Sequence, residues 1–216
     1  MNKTIGILLG LGLACAANAA IILTNDTVGT GTYFEIGDFR VNNDLIRVGG
    51  NDALTTEFIG LLAFDVSGSV AELQAATSIT LSFNLAASDN NPALNDIAID
   101  YVGTFANNYL GVNGVGGADA NATLIGNSAS IYSIFSGAET TGAKSYDATA
   151  IGADSFENKY AYFLVTDPSY AAHQWDIGGS TDVAAATLTV IPEPATLGLV
   201  AAFGGAVLFI RRRFMI

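Results

Sequence analysis

Cysteine is almost missing from this chain. The single one, Cys15, stands close to the start of 216 residues. That leaves the rest without a disulfide framework, a thiolate metal site or a thiol nucleophile. Histidine is as scarce, with His173 alone. One histidine falls short of a zinc ligand set, and no G-x-S-x-G elbow supports a Ser-His-Asp reading of it. Basic residues are few where acids are many. All 20 acidic residues lie between Asp26 and Glu193, and only Arg40, Arg47, Lys144 and Lys159 accompany them there. Phosphate backbones bind by exchanging counterions for Lys and Arg, so nucleic acid is excluded as a partner. Divalent cations and neutral surfaces such as glycans are compatible with this charge, as is simple solubility.

Hydropathy is present, but at the ends. The mean hydropathy is +0.42, and much of it sits in the first twenty and the last twenty-odd residues. Lys3, an apolar stretch from Ile5 to about Ala16, and the small residues Ala17-Asn18-Ala19 form a secretory leader over 1–19, with cleavage expected after Ala19. A lipoprotein reading of Cys15 is disfavoured by Gly12, which stands where that signal usually has a leucine-like residue. Normal cleavage removes the only cysteine, so the exported body must be held by its core.

At the other end Ala195 to Ile210 carries no charge, and Arg211, Arg212 and Arg213 follow. As a helix, 195–210 would span roughly 24 Å against a hydrocarbon thickness of roughly 30 Å, a marginal transmembrane helix. A buried core helix is the alternative, but this one is apolar on every face and would place three arginines beside a core. The positive-inside rule accounts for them more simply. Pro192 and Pro194 bracket Glu193 and stop a helix from running back into the body, so the triplet is expected to be an extended, accessible joint.

The Pro192-Glu193-Pro194 triplet, the short apolar segment and the arginine cluster over 191–216 resemble the C-terminal sorting signal of bacterial PEP-CTERM proteins. The resemblance implies recognition by an exosortase, a multi-pass membrane enzyme. It also implies transient anchoring in the inner membrane, then release or transfer to the cell envelope or extracellular matrix. It implies nothing about the activity of the body.

Between residues 20 and 190 the dominant period is two. Phe58, Leu62, Phe64 and Val66 share one face with Gly60, and Glu57 and Asp65 lie on the other. In TSITLSFNL, Ile79, Leu81, Phe83 and Leu85 alternate with Thr80, Ser82 and Asn84. Both read as half-buried strands with a wet outer face. Further strands are expected near Ile21, Tyr33, Leu45, Asp96, Ser130, Tyr160 and Ala185, with Gly, Asn and Asp clusters as turns between them. Short helices fit only SVAELQAAT and SYDATAIGADSF. The expected fold is one all-β domain, an antiparallel β-sandwich of jelly-roll type. From Asp44 to Val190 the order of LIRVGGND, GLLAFDVSGSV, SITLSFNL and SYDATA is also similar to jelly-roll modules of the carbohydrate-binding type, which implies that fold and a glycan ligand.

Candidate chemistry in the body is sparse. Hard cations take carboxylate and carbonyl oxygens from turns, so calcium is the one candidate metal, with Asp89, Asn91 and Asp119 in Asx-rich loops. Turns that merely shape the backbone are the alternative, and no EF-hand spacing occurs. Asp38 with Asn42 to Asp44 is a loop of the same kind. Glycan contact needs flat aromatic faces beside polar groups. Tyr170 and Trp175 offer these in an expected loop, with Asp167, His173, Gln174 and Asp176 nearby. Trp175 as a plug closing the core is the competing reading. GVNGVGGAD lacks a lysine and a strand-to-helix setting, so it is a flexible loop, not a phosphate loop. The expectation is a non-enzymatic structural or adhesive protein touching polysaccharide. The rivals are a secreted carbohydrate-active enzyme using paired carboxylates and a permanently anchored surface protein.

Overall fold

A computed structural model describes residues 20–25, 31–34, 38–40, 46–51, 56–87, 95–106, 125, 128–168, 174–177 and 186–193, together with residues 204, 207, 208, 211 and 212. The described body is all-β, antiparallel and sandwich-like, with almost no helix. In chain order its strands are β1 (Ile21–Thr24), β2 (Gly31–Phe34), β3 (Asp38–Arg40), β4 (Ile46–Asn51), β5 (Thr56–Asp65), β6 (Ala76–Ala87), β7 (Asn95–Phe105), β8 (Tyr132–Glu139), β9 (Gly142–Asp147), β10 (Tyr160–Thr166), β11 (Gln174–Ile177) and β12 (Thr187–Pro192). The helix α1 (Val70–Gln74) joins β5 to β6, and a 3-10 turn (Thr149–Ala153) follows β9.

Two long strands organise the rest. Strand β6 pairs with β9 along one edge and with β12 and then β11 along the other, since Leu85 faces both Gly142 and Ile177. Strand β5 pairs with β10 on one edge and β2 on the other, since Leu61 faces both Leu164 and Gly31. Beyond β10 lie β7 and β8, and beyond β12 lies β1. The two groups join where β4 bridges β11 and β5, and again where Asn25, just past β1, bridges Phe64.

The core lies between these groups. From the β6 side come Ile79, Leu81, Phe83 and Leu85; from the β5 side Leu62, Phe64, Phe163, Ile99 and Tyr101; all belong to one buried cluster. Each such side chain contributes about 1.5–3 kcal/mol by leaving water. Phe163 is the hub of an aromatic group, 5.7 Å from Phe64 edge-on and 5.3 Å from Tyr101. The alternation of β6 follows the expected pattern, with Ser78, Thr80, Ser82 and Asn84 on the partly exposed face.

Strand β5 departs from it. Ile59, Leu61 and Ala63 are buried as well, in a second cluster with Val102, Ile125, Tyr160, Tyr162 and Leu164. Its near-continuous apolar run FIGLLAF therefore marks a strand covered on both faces, the pattern of a central strand rather than a half-wet one. At its C-terminal end Asp65 is exposed.

A bulge in β7 serves this two-sided burial. The register against β10 shifts between Tyr162 and Phe163, which face Gly103 and Tyr101, so Val102 is skipped. Gly103 has φ +101, a left-handed conformation that disfavours side chains, and an added Cβ would lie 2.9 Å from Cδ1 of Ile131.

Candidate functional site

The C-terminal joint is part of the fold. Strand β12 alternates Leu188, Val190 and Pro192 inward, with Thr187 and Thr189 half-buried and Ile191 exposed on the other face. Its register against β6 runs from Thr187–Ser82 to Ile191–Ser78 and ends, after an irregularity, at Pro192–Ala76. Proline suits that last position because it has no N–H to leave unsatisfied. Two further bonds fasten the end. Thr77 Oγ1 donates to the Ile191 carbonyl at 3.1 Å, and the Glu193 N–H donates to the Ala75 carbonyl at 3.0 Å.

This placement corrects two expectations. Pro192 is buried and belongs to a strand, so the triplet does not begin as an accessible joint, and the strand passes the boundary expected at residue 190. Glu193 is exposed, while Pro194 and Arg213 lie outside the described residues. Gly204, Val207, Leu208, Arg211 and Arg212 are helical and exposed. Among the described residues no helix is long and apolar enough to cross a membrane; most of 195–210 lies outside them, as do Ala17 and Ala19.

Trp175 is placed otherwise than the loop expected for it. It lies in β11 between Val48 of β4 and Ala87 of β6, is 3% exposed, and joins the main core. Its flat faces are therefore spent on packing and offer nothing to a sugar ring. Asp176, the next residue, points to the other side of the strand and meets its cross-strand neighbour Arg47, Nε to Oδ1 at 3.6 Å. Asp167, at the end of β10, is buried. Tyr170, His173, Asp89, Asn91 and Asp119 lie outside the described residues, and so do Asn42 to Asp44. Among those described, no group of three or more His, Cys, Asp or Glu is placed to hold a metal ion.

Three further acids are held by polar partners. Glu139 meets Lys144 Nζ at 2.6 Å across the β8–β9 hairpin and accepts from the Tyr146 hydroxyl at 3.2 Å. Burial pushes the Glu139 carboxyl up, but the bonds from Lys144 and the Thr140 N–H outweigh it and leave it below its usual range. Asp65 is balanced in the same way. Partial burial raises it, and bonds from Ser67 and Lys159 bring it below its usual value. Asp147 is lowered by the Thr149 hydroxyl and N–H. Each of these carboxylates is committed to a turn, a hairpin or an ion pair.

A regular polar surface forms the outer face of β1, β12, β6 and β9. Registers align Thr24, Thr187, Ser82 and Ser145 in one row, and Ile22, Thr189, Thr80 and Asp147 in the next. Ser82 and Ser145 share a hydrogen bond at 2.9 Å. Asp147 is the one charged group in these two rows, and the exposed Ile22 and Ile191 add apolar contact. Sequence reasoning identified the β6 hydroxyls as an outer face but sought aromatic side chains for binding. The signal for the wider face was the shared Thr/Ser alternation of SITLSF and TLTV. No protein-family model matches the chain, and no curated protein matches it.

Proposed function

We propose that the chain is an exported, non-enzymatic protein of jelly-roll type, delivered by its PEP-CTERM-like tail to the cell envelope or extracellular matrix. There it plays a structural or adhesive part. One observation supports the delivery reading above the others: both ends of the body leave from one corner of the fold. Ile21 opens β1 directly opposite Val190 of β12, and the two strands are antiparallel. The leader and the sorting segment therefore attach side by side, as suits a body held at a single membrane face while an exosortase acts. No linker intervenes between β12 and the triplet, which keeps the body close to that membrane.

The adhesive part is assigned to the hydroxyl face of β12, β6 and β9, with polysaccharide as its partner. A nearly uncharged array of Thr and Ser on an otherwise acidic protein suits neutral polymers, which offer hydroxyl rims and apolar CH faces. Calcium at Asp89, Asn91 and Asp119 is not needed by this reading.

Cell fractionation with mass spectrometry of the C-terminal peptide tests the delivery. The expected result is an envelope or extracellular protein lacking Arg211 to Arg213; an intact terminus on the envelope protein would support a permanent anchor instead. Pull-down on insoluble polysaccharides tests the adhesion. Thr80→Lys together with Thr189→Lys is expected to abolish retention without lowering the melting temperature, and unchanged retention would remove this face from the proposal.

A further inference from the structure

We infer that the polymer taken by the hydroxyl face is an amino-sugar polysaccharide, uncharged along most of its length and bearing scattered free amines, and that Asp147 receives one of its ammonium groups. The inference rests on the adhesive reading above and adds the chemical class of the partner to it. It is independent of the sorting tail.

Asp147 is the one charged side chain in the two aligned rows, and it is exposed there at the end of β9. Its carboxylate is held in position. Oδ1 accepts from the Thr149 N–H at 2.9 Å and from the Thr149 hydroxyl at 2.6 Å. The Thr149 oxygen accepts in turn from the Ile79 N–H of β6 at 3.1 Å. Thr149 uses Oδ1 alone, so Oδ2 stays open to a further donor. The bonds from Thr149 hold the carboxyl below its usual range, which keeps it charged at mildly acidic pH, where sugar amines are protonated.

The counter-charge must come from outside. Lys144, Lys159 and Arg47 are committed to Glu139, Asp65 and Asp176, and Lys144 points to the opposite face of β9. With 20 acids against four basic residues between Asp26 and Glu193, the body attracts positive groups from solution.

The size of the face selects the kind of partner. Four strands about 4.8 Å apart, with about three outward positions on each, make a patch of roughly 300 Å². A stable protein partner needs about 800 Å² on each side, and a second copy would bring the same excess of acid. A sugar chain needs far less. Laid from Asp147 over Thr80 and Thr189 towards Ile22, it meets one strand about every 4.8 Å, close to the advance of one pyranose unit. The rings beyond Asp147 then lie over hydroxyl and methyl groups with no charge, so an uncharged stretch suits them. An acidic polysaccharide meets Asp147 as a like charge.

Retention of the full chain on three insoluble polymers at mildly acidic pH tests this: cellulose, fully N-acetylated chitin, and chitin with a minority of its units deacetylated. The parent is expected to bind the partly deacetylated form about two- to fivefold more tightly than the acetylated one, the worth of a single exposed ion pair. Added salt should erase the preference. Asp147→Asn keeps an Oδ1 acceptor for Thr149 and is expected to bind both forms of chitin equally. Asp96→Asn removes an exposed acid at the start of β7, in the other group of strands, and is expected to keep the preference. Equal retention of both forms by the parent overturns the inference and leaves the adhesive face standing, as does binding to cellulose alone. A preference that survives Asp147→Asn, or falls equally in Asp96→Asn, comes from diffuse charge and also overturns it. Retention on none of the three overturns the adhesive reading together with the inference.

Discussion

The hydroxyl of Tyr101, in the middle of β7, donates a hydrogen bond to Oδ2 of Asp154, just past the 3-10 turn that follows β9. Tyr101 is fully buried, and its ring also stacks on Tyr132 with centroids 6.2 Å apart. A strand on the β5 side of the molecule is thereby tied to the turn that leaves the β6 side. The bond is charge-assisted and sits at the rim of the core, where removing one partner leaves the other poorly solvated.

Tyr101→Phe is expected to lower stability by about 1.5–3 kcal/mol, the usual worth of a hydrogen bond to a charged group. Urea unfolding at neutral pH measures it. A loss below a few tenths of a kcal/mol would show that water replaces the phenol at Asp154.

The same pair sets an alkaline limit. Burial first, and then the Asp154 carboxylate, push the Tyr101 phenol far above its ordinary value, and burial with Glu139 does the same to Tyr146. A raised folded value means that the stability is fully present below the unfolded value of about 10 and is lost as pH rises above it. There the unfolded chain releases protons that the folded one keeps. Each tyrosine then removes about 1.4 kcal/mol per pH unit. Unfolding midpoints measured from about pH 9 to about pH 11 should fall less steeply in Tyr101→Phe than in the parent; equal slopes would mean that Tyr101 titrates freely.

On the acid side the Glu139–Lys144 pair behaves in the opposite sense. The folded Glu139 value is lowered, so its contribution is present above the usual carboxylate range and is lost as pH falls through it. Both side chains are mostly buried, at 15% and 16% exposure. Glu139→Gln is therefore expected to cost about 1–2 kcal/mol at neutral pH, between the values for exposed and fully buried pairs. It should also flatten the acid limb of a stability–pH curve. An unchanged limb would assign the acid sensitivity to other carboxylates.

Gly60 of β5 has no room for a side chain. An added Cβ would lie 2.8 Å from Cγ2 of Val48 and 3.0 Å from Cγ2 of Ile46. Gly60→Ala is expected to cost about 1–3 kcal/mol through overpacking, read as a lowered melting temperature. A neutral result would mean that β4 can shift away from β5 without loss.

Trp175 is the only tryptophan, so its fluorescence reports one site. Its burial predicts a blue-shifted emission, weak quenching by acrylamide and no change on adding soluble polysaccharide. Trp175→Ala should cost about 3–5 kcal/mol as a core cavity. A red-shifted spectrum quenched by glycan would return Trp175 to the binding surface.

The sequence by itself determined the class of the fold and the sites where most strands form. Alternation in SITLSFNL placed Ile79, Leu81, Phe83 and Leu85 inward, because a strand's side-chain period is a local property of the backbone. It also marked both ends as unlike the body, since charge and hydropathy are properties of composition. Other features depended on contacts between segments distant in sequence. Strand β9 was missed because Ser145 to Asp147 open SYDATAIGADSF, read as a short helix, of which only a 3-10 turn over Thr149–Ala153 forms; the half-buried Lys144 of β9 pairs with Glu139 across the hairpin. The second covered face of β5 depends on Ile125 and on the side chains that neighbouring β10 adds to the same cluster, which no local pattern encodes. Trp175 and Pro192 illustrate the division best. For Trp175 the residue type left a core plug and a sugar contact both open, and for Pro192 it suggested an exposed joint; pairing with β4, β6 and Ala76 buried both. Local chemistry limits what a residue can do, and the tertiary register decides which of its surfaces remain in water.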